Sequence, residues 1–320
     1  MREIDIEWRP LGISVTAVLT GDKNPGLAEL LWDALPYRSL QNHALVSGHH
    51  LYHLVPDARL VHTPAEHKED RTRCADGTVF LSQLQHMAVK YGPLSEYLPA
   101  AAVGHVRPED VDALRAAGRA CWEAAYRTKE PVEVRVTRKG EPAAEFPLRA
   151  PEPIGHPEVQ RLITEIHDEV ERVWTDPPAE ITEVHAGRSP SRAGSYDQYL
   201  STLVFVNGET RPLGYCGLNG LLRLAQDPSV DLAALRRITP EFTLVPAEFL
   251  GYCGLGRLCE FVRRTVDLLD VVIERAEYTA LIRELALYAN CLNTWNLHYF
   301  PWRHGDEYPY ADAATAAVPG

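Results

Sequence analysis

A single change of period divides this chain of 320 residues near position 140. Upstream of it, apolar and polar residues alternate. Glu3-Ile4-Asp5-Ile6-Glu7-Trp8 and Ile13-Ser14-Val15-Thr16-Ala17-Val18-Leu19 carry the two-residue repeat that turns one face of a strand toward a core. Further extended stretches are expected near 43–55, 58–63, 78–91 and 101–106, with Val132 to Val136 as a closing strand. Two helices interrupt them. Asn24 caps the first, with Pro25 at its first helical position, and Pro108-Glu109-Asp110 opens the second, which runs to about Arg127. Downstream the spacing becomes helical: Val159, Leu162, Ile163, Ile166, Val170 and Val173 share one helix face. Apolar helical stretches follow at 218–225, 232–238, 255–272 and 278–293. Pro142, Pro147, Pro151 and Pro153 crowd the junction at 141–156, where neither pattern persists. The expectation is an α+β chain: a β-barrel or sandwich over 1–145, a mostly helical bundle over 155–310 and a frayed tail over 311–320.

Charge narrows the functional classes. With 32 basic and 44 acidic residues the net charge is −12, so the clustered basic footprint of a nucleic-acid binder is missing. No apolar run approaches the ~18 residues that span a bilayer, and acids occupy the first residues where a signal peptide needs apolar ones. A cytoplasmic protein with no membrane partner is expected, and exposed barrel edges favour a homo-oligomer. None of the six cysteines forms a Cys-x-x-Cys pair, which reads as buried thiols. The dinucleotide fingerprint, the phosphate-binding loop and the His-Glu-x-x-His zinc motif are all missing, which weighs against those cofactor chemistries.

Residues able to do chemistry gather in three places. Gly48-His49-His50-Leu51-Tyr52-His53 puts His49 and His53 on one strand face and His50 with Tyr52 on the other. His49 and His53 have no third ligand at a convincing spacing, so no metal is assigned; His50 fits an acid/base group, and surface histidines on a barrel strand fit as well. Ser82-Gln83-Leu84-Gln85-His86-Met87-Ala88-Val89-Lys90-Tyr91-Gly92 reads as a polar strand, with His86 and Lys90 on one face and Gln83, Gln85 and Tyr91 on the other; Glu96 follows. A decorated edge strand would look the same. Near the C-terminus, the segment Asn290 to Trp302, with Asn293, Trp295, Asn296 and His298, makes either a pocket wall or a segment docked on the bundle. Gly214-Tyr215-Cys216-Gly217-Leu218 recurs as Gly251-Tyr252-Cys253-Gly254-Leu255, a repeated helix-entry turn or a pair of Tyr/Cys pocket lips.

Several of these segments carry a resemblance. Asn24 to Pro36, Gly48-His49-His50, Ser82 to Gly92 and Trp122-Glu123-Ala124 resemble the cyclophilin-like domain of the cucumopine and mikimopine synthases, and the helical half resembles the bundle of that opine-forming family. The resemblance implies condensation of an amino acid with a 2-oxo acid, histidine and 2-oxoglutarate in the cucumopine case, by a Pictet–Spengler-type ring closure. Hydride transfer plays no part, so no cofactor is implied. The chemistry needs a base for the amine, an acid to expel water and a base for the ring proton. His50, His86, Lys90 and Glu96 are the catalytic candidates. His49, Gln83, Gln85, Tyr91, Tyr215, Asn293, Trp295 and His298 are the substrate-binding ones. Arg71, Arg73, Arg188 and Arg192 are candidate carboxylate clamps. A hydrolase or lyase of a small amide or carboxylate is the competing enzyme class, and a non-catalytic binding protein the competing non-enzyme.

Overall fold

The computed structural model describes residues 2–141, 143–189 and 198–307. Their strands are β1 (Arg2–Trp8), β2 (Ile13–Leu19), β3 (Tyr37–Leu40), β4 (Asn42–His43), β5 (Gly48–Leu54), β6 (Glu69–Asp70), β7 (Thr78–Ser82), β8 (His86–Leu94), β9 (Pro99–Val106) and β10 (Glu133–Arg138). All pair antiparallel in the order β3-β10-β1-β2-β9-β7-β8-β5-β4, with β6 beside β9. Gln41 alone joins β3 to β4, the two ends of that path, so the sheet is a nearly closed barrel. Its side chain works as the clasp. Nε2 donates to Tyr52 O at 2.8 Å, and Oε1 accepts from the indole of Trp8 at 2.8 Å. The inward positions of the alternation, among them Ile4, Ile6, Trp8, Leu51, Met87 and Val134, fill the barrel. Each such side chain contributes roughly 1.5–3 kcal/mol by leaving water.

Three helices belong to the barrel: α1 (Pro25–Asp33), α2 (Arg59–His62) and α3 (Val111–Glu123). Gly118 is what lets α3 lie against Tyr91, because a Cβ there would come within 2.5 Å of the ring. The remaining helices are α4 (Pro157–Val173), α5 (Ala179–His185), α6 (Tyr199–Arg211), α7 (Asn219–Ala225), α8 (Leu232–Cys253), α9 (Gly256–Leu268) and α10 (Arg275–Tyr299), with a π-helical turn, Pro212–Leu218, between α6 and α7. Helix α10 is buried on all sides and forms the axis of the bundle. Its polar groups are mostly paired: Glu284 accepts from Arg283 Nε at 3.0 Å and faces His167 Nδ1 at 3.0 Å, and Asn290 Nδ2 donates to Asn219 Oδ1 at 3.1 Å.

Barrel and bundle share a hydrophobic core. Leu40, Leu54 and Val61 of the barrel side are buried with the bundle residues. Trp174 Nε1 donates to Arg38 O at 2.6 Å. Lys129 Nζ donates to His298 O at 3.2 Å and Phe300 O at 2.6 Å, tying the end of α10 to the barrel. No helix of the described residues is long and apolar enough to cross a membrane.

The structure corrects several local readings. Residues 59–62 form α2, burying Leu60 and Val61, rather than an extended stretch. The run from 78 to 92 is a hairpin: Gln85, at φ 64°, turns β7 into β8. Asn24 does not cap α1 with its side chain; Nδ2 donates to Ala102 O at 2.9 Å and Oδ1 accepts from His67 N at 3.0 Å. The stretch at 232–238 continues through Pro240 and Pro246 to Cys253, because each proline removes a backbone donor without breaking the packing of α8. The second copy of the repeat is a helix entry, since α8 ends at Gly254 and Leu255 caps α9; the first lies in the π-helical turn that leads into α7. The tail at 311–320 lies outside the described residues.

Burial holds the imidazoles of His43 and His298 down to about 4, and those of His50, His53 and His86 down to about 3. The folded protein therefore binds fewer protons than the unfolded chain between about pH 3 and 6.5, so stability must fall as pH falls through that window. His167, raised by Glu284, acts in the opposite sense. Thermal unfolding should show Tm dropping steeply between pH 6.5 and 4.5 and nearly flat from pH 7 to 8. A Tm that rises on acidification would mean these histidines are not buried neutral.

Candidate active site

A cavity of about 420 Å³ lies between the outer face of β5, β7 and β8 and the bundle. The strand register explains which residues meet there. On β5 the outward side chains at the cavity are His50 and Tyr52; on β8, Ala88 stands opposite Tyr52 and His86 opposite Leu54. Phe80 and Ser82 of β7 share that face. The loop from β8 to β9 adds Glu96 and Leu98, and Arg71 comes from the turn after β6. The bundle closes the cavity with Asn207 and Arg211 of α6, Tyr215 of the π-helical turn, Leu297 of α10 and Trp302 beyond it.

A π-helical turn inserts one extra residue into a helix and re-aims the side chains after it. Here it points Tyr215 at the barrel, where its hydroxyl lies 2.7 Å from His86 Nε2. Gly214 makes the turn fit, since a Cβ there would collide with Asn290 Oδ1 on α10. Burial pushes the Tyr215 phenol well above its ordinary range and Tyr52 up to about 12. Burial lowers His86 as well, reinforced by the positive charges of its neighbours, Arg211 among them. The phenol therefore keeps its proton and the imidazole stays neutral, so the two are joined by an uncharged hydrogen bond. The Tyr52 ring lies 4.8 Å from that of His86.

His50 is also neutral, lowered to about 3 by burial and by the Arg71 charge, and its buried Nδ1 has no partner. Arg71 is 8% exposed. It donates through Nε to Leu98 O at 2.8 Å and through Nη2 to Glu96 Oε2 at 3.2 Å. Glu96 is the one carboxylate among the described residues lining the cavity. Arg211 has no ion-pair partner among the described residues. The cavity thus presents a carboxylate base, a free guanidinium, two neutral imidazoles and two phenols against an aromatic wall. That set can bind an anion, and Glu96 can accept and return a proton.

Comparison with known proteins settles the family. The model of the cucumopine synthase C-terminal helical bundle domain matches residues 159–299. The structure of McbB in complex with tryptophan superposes with a TM-score of 0.94 at 64% identity, covering 96% of this chain and 100% of that one. The chain belongs to the cucumopine synthase family. It is accordingly a condensation enzyme of the Pictet–Spenglerase-like kind. The solution structure of the hypothetical protein AF2241 from Archaeoglobus fulgidus aligns over 43% of this chain and 94% of its own, at 14% identity and a TM-score of 0.31, a likeness that carries no weight. No curated protein sequence matches.

In this family member the cavity gathers His50, His86, Glu96 and Tyr215 from the sequence candidates, together with Arg71. The others lie elsewhere. Lys90 shares the β8 face with His86, but its buried ammonium is held by Cys74 O and lies 3.9 Å from Asp76 Oδ1. Gln85 donates to Val55 O at 2.9 Å to fix the hairpin, and Gln83 sits in the same turn. Tyr91 and His49 stack 5.3 Å apart on the α3 side of the barrel. Trp295 donates to Val173 O at 2.7 Å within the bundle, and His298 Nε2 donates to Lys129 O at 3.0 Å at the junction. Asn293 lies behind Tyr215 rather than in the cavity. His53 is engaged with Tyr37 at 2.9 Å in the barrel core, away from His49. Among the described residues no three His, Cys, Asp or Glu side chains converge as metal ligands. Arg73 and Arg188 pair with Asp70 and Glu183 at the surface, and Arg192 lies outside the described residues. Sequence reasoning missed Arg211 and Asn207, whereas Trp302 closes the Asn290 to Trp302 segment, which the sequence leaves open to a pocket-wall reading. Arg211 carried one usable signal, a cation directly before Pro212 and three residues from Gly214.

Substituting Gly214→Ala should displace the π-helical turn and carry Tyr215 off His86, lowering Tm by several degrees. Gly217→Ala, whose added Cβ meets nothing nearer than 3.5 Å, should leave Tm near wild type. Differential scanning calorimetry of the pair checks this; equal Tm values would remove the steric argument.

Proposed function

We propose that this enzyme condenses tryptophan, or a closely related aromatic amino acid, with a 2-oxo acid and closes a six-membered ring on the indole. The observation that carries the reading is one carboxylate, Glu96, facing an aromatic cavity whose unpaired cation is Arg211. McbB, 64% identical, was solved with tryptophan, and that favours an indole over the imidazole of histidine as the ring that closes. A volume of about 420 Å³ falls within the range of roughly 300–1,000 Å³ typical of small-molecule sites.

The steps follow from the groups present. Glu96 takes a proton from the ammonium, and the freed amine adds to the ketone carbon to give a carbinolamine. Protonated Glu96 returns the proton to the departing hydroxyl, and water leaves the iminium. Indole C2 attacks the iminium carbon, forming the ring C–C bond, and Glu96 removes the C2 proton so that the indole regains aromaticity. The sum is both substrates minus one water, with no electrons gained or lost. Arg211 holds one carboxylate. Arg71 orients Glu96 and balances its charge. His86, held neutral against Tyr215, serves as a hydrogen-bonding partner for the carbonyl or carbinolamine oxygen and transfers no proton. Confinement of both substrates supplies much of the rate.

Mass spectrometry of the enzyme incubated with tryptophan and a panel of 2-oxo acids, with histidine in parallel, tests this. The expected product has the summed mass minus water and needs no nucleotide. Glu96→Gln should lower kcat by roughly 10²-fold or more with Tm unchanged, general acid–base groups being worth about 10²–10⁴. Arg211→Gln should mainly raise KM. Absence of the product mass with every amine and oxo acid, alongside consumption of an amide or carboxylate alone, would replace condensation by the hydrolase or lyase reading.

A further inference from the structure

A second cavity, about 730 Å³, lies on the other side of β5, between α3 and the ends of β4, β5 and β8. Neighbouring residues of one strand serve the two cavities: His50 faces the catalytic one and His49 this one. Ala44, Leu45 and Val46 line both, so the loop they form is the partition between them.

The second cavity is furnished for a flat ring. His49 and Tyr91 stack with planes 5° apart, and His43 meets Trp122 edge-on at 5.0 Å. Tyr91, His43 and Trp122 are fixed. Tyr91 shares a hydrogen bond of 2.5 Å with His43 Nε2, and Trp122 stacks on Tyr126 at 4.7 Å. Fixed aromatic walls give stacking area at little cost in side-chain entropy.

Its charges do not cancel. Asp76 is paired with Arg115 at 2.8 Å and Glu123 with Arg127 at 3.6 Å. Arg119, one α3 turn beyond Arg115, has no ion-pair partner among the described residues and lines the cavity beside Trp122. A guanidinium left over next to aromatic faces matches a carboxylate carried on a planar ring.

We propose that this cavity is a separate binding site for planar aromatic carboxylates, held by Arg119 and stacked against His49 and Trp122. Two ligands of the proposed reaction share that chemistry, the amino-acid substrate and its ring-closed product. The site itself does not depend on the reaction being the one proposed.

Isothermal titration with indole-3-acetate, which has no amine and cannot condense, tests the site. Wild type, Arg119→Gln and Arg211→Gln are titrated, with Tm confirming that each variant is folded. Arg119 is exposed and has no ion pair to lose, so its substitution should not disturb the fold. Arg119→Gln is expected to weaken one binding event at least tenfold while Arg211→Gln leaves that event intact, and His49→Ala should weaken the same event. No binding to wild type, binding unchanged by Arg119→Gln, or binding abolished wholly by Arg211→Gln would each overturn the proposal. Tryptophan and 1,2,3,4-tetrahydro-β-carboline-3-carboxylate, titrated next, then show whether substrate or product is preferred.

Discussion

One hydrogen bond, between His86 of the barrel and Tyr215 of the bundle, is the contact around which the site is built. Neither unit holds both partners, and neither partner carries charge, because the same burial that lowers the imidazole raises the phenol. A buried neutral pair is inexpensive where a buried charged pair would need strong compensation. The bond requires the π-helical turn, the turn requires a glycine against Asn290, and Asn290 requires the fully buried α10. The bundle therefore has a positioning role in the chemistry as well as a structural one.

The two halves divide the labour accordingly. The barrel supplies His50 and His86 on paired strands, where register fixes their spacing. The bundle supplies the cation Arg211 and the aromatic cover Trp302. Lys129 fastens that cover to the barrel through the carbonyls of residues 298 and 300. His50, His86 and Tyr215 thus stand on elements that pack tightly, and Glu96, on the β8–β9 loop, is held by Arg71, whose guanidinium is buried.

The barrel was legible from alternation because half-buried strands leave a period of two, and the bundle from the spacing of α4. His50 and His86 were legible because hydrogen-bonding side chains crowd the strands that carry them, and Glu96 because it follows the second of these closely. Lys90 misled for a geometric reason. A shared face says nothing about distance, and four residues of strand separate groups by roughly 13 Å. Gln83 and Gln85 misled because a positive-φ glutamine conceals a hairpin inside what scans as one strand. Trp295 and His298 satisfy backbone carbonyls of the bundle and the junction, and only the three-dimensional packing shows that. Arg211 was barely legible, as a cation directly before Pro212, because its approach to the barrel depends on how α6 and the π-helical turn pack over long range.

A crystal structure of this protein with tryptophan bound tests the central claim most directly. The indole is expected in the barrel–bundle cavity, with its carboxylate on Arg211 and its C2 edge toward Glu96. An indole found solely in the α3 cavity, with the barrel–bundle cavity empty at saturating ligand, would contradict that placement and the chemistry built on it.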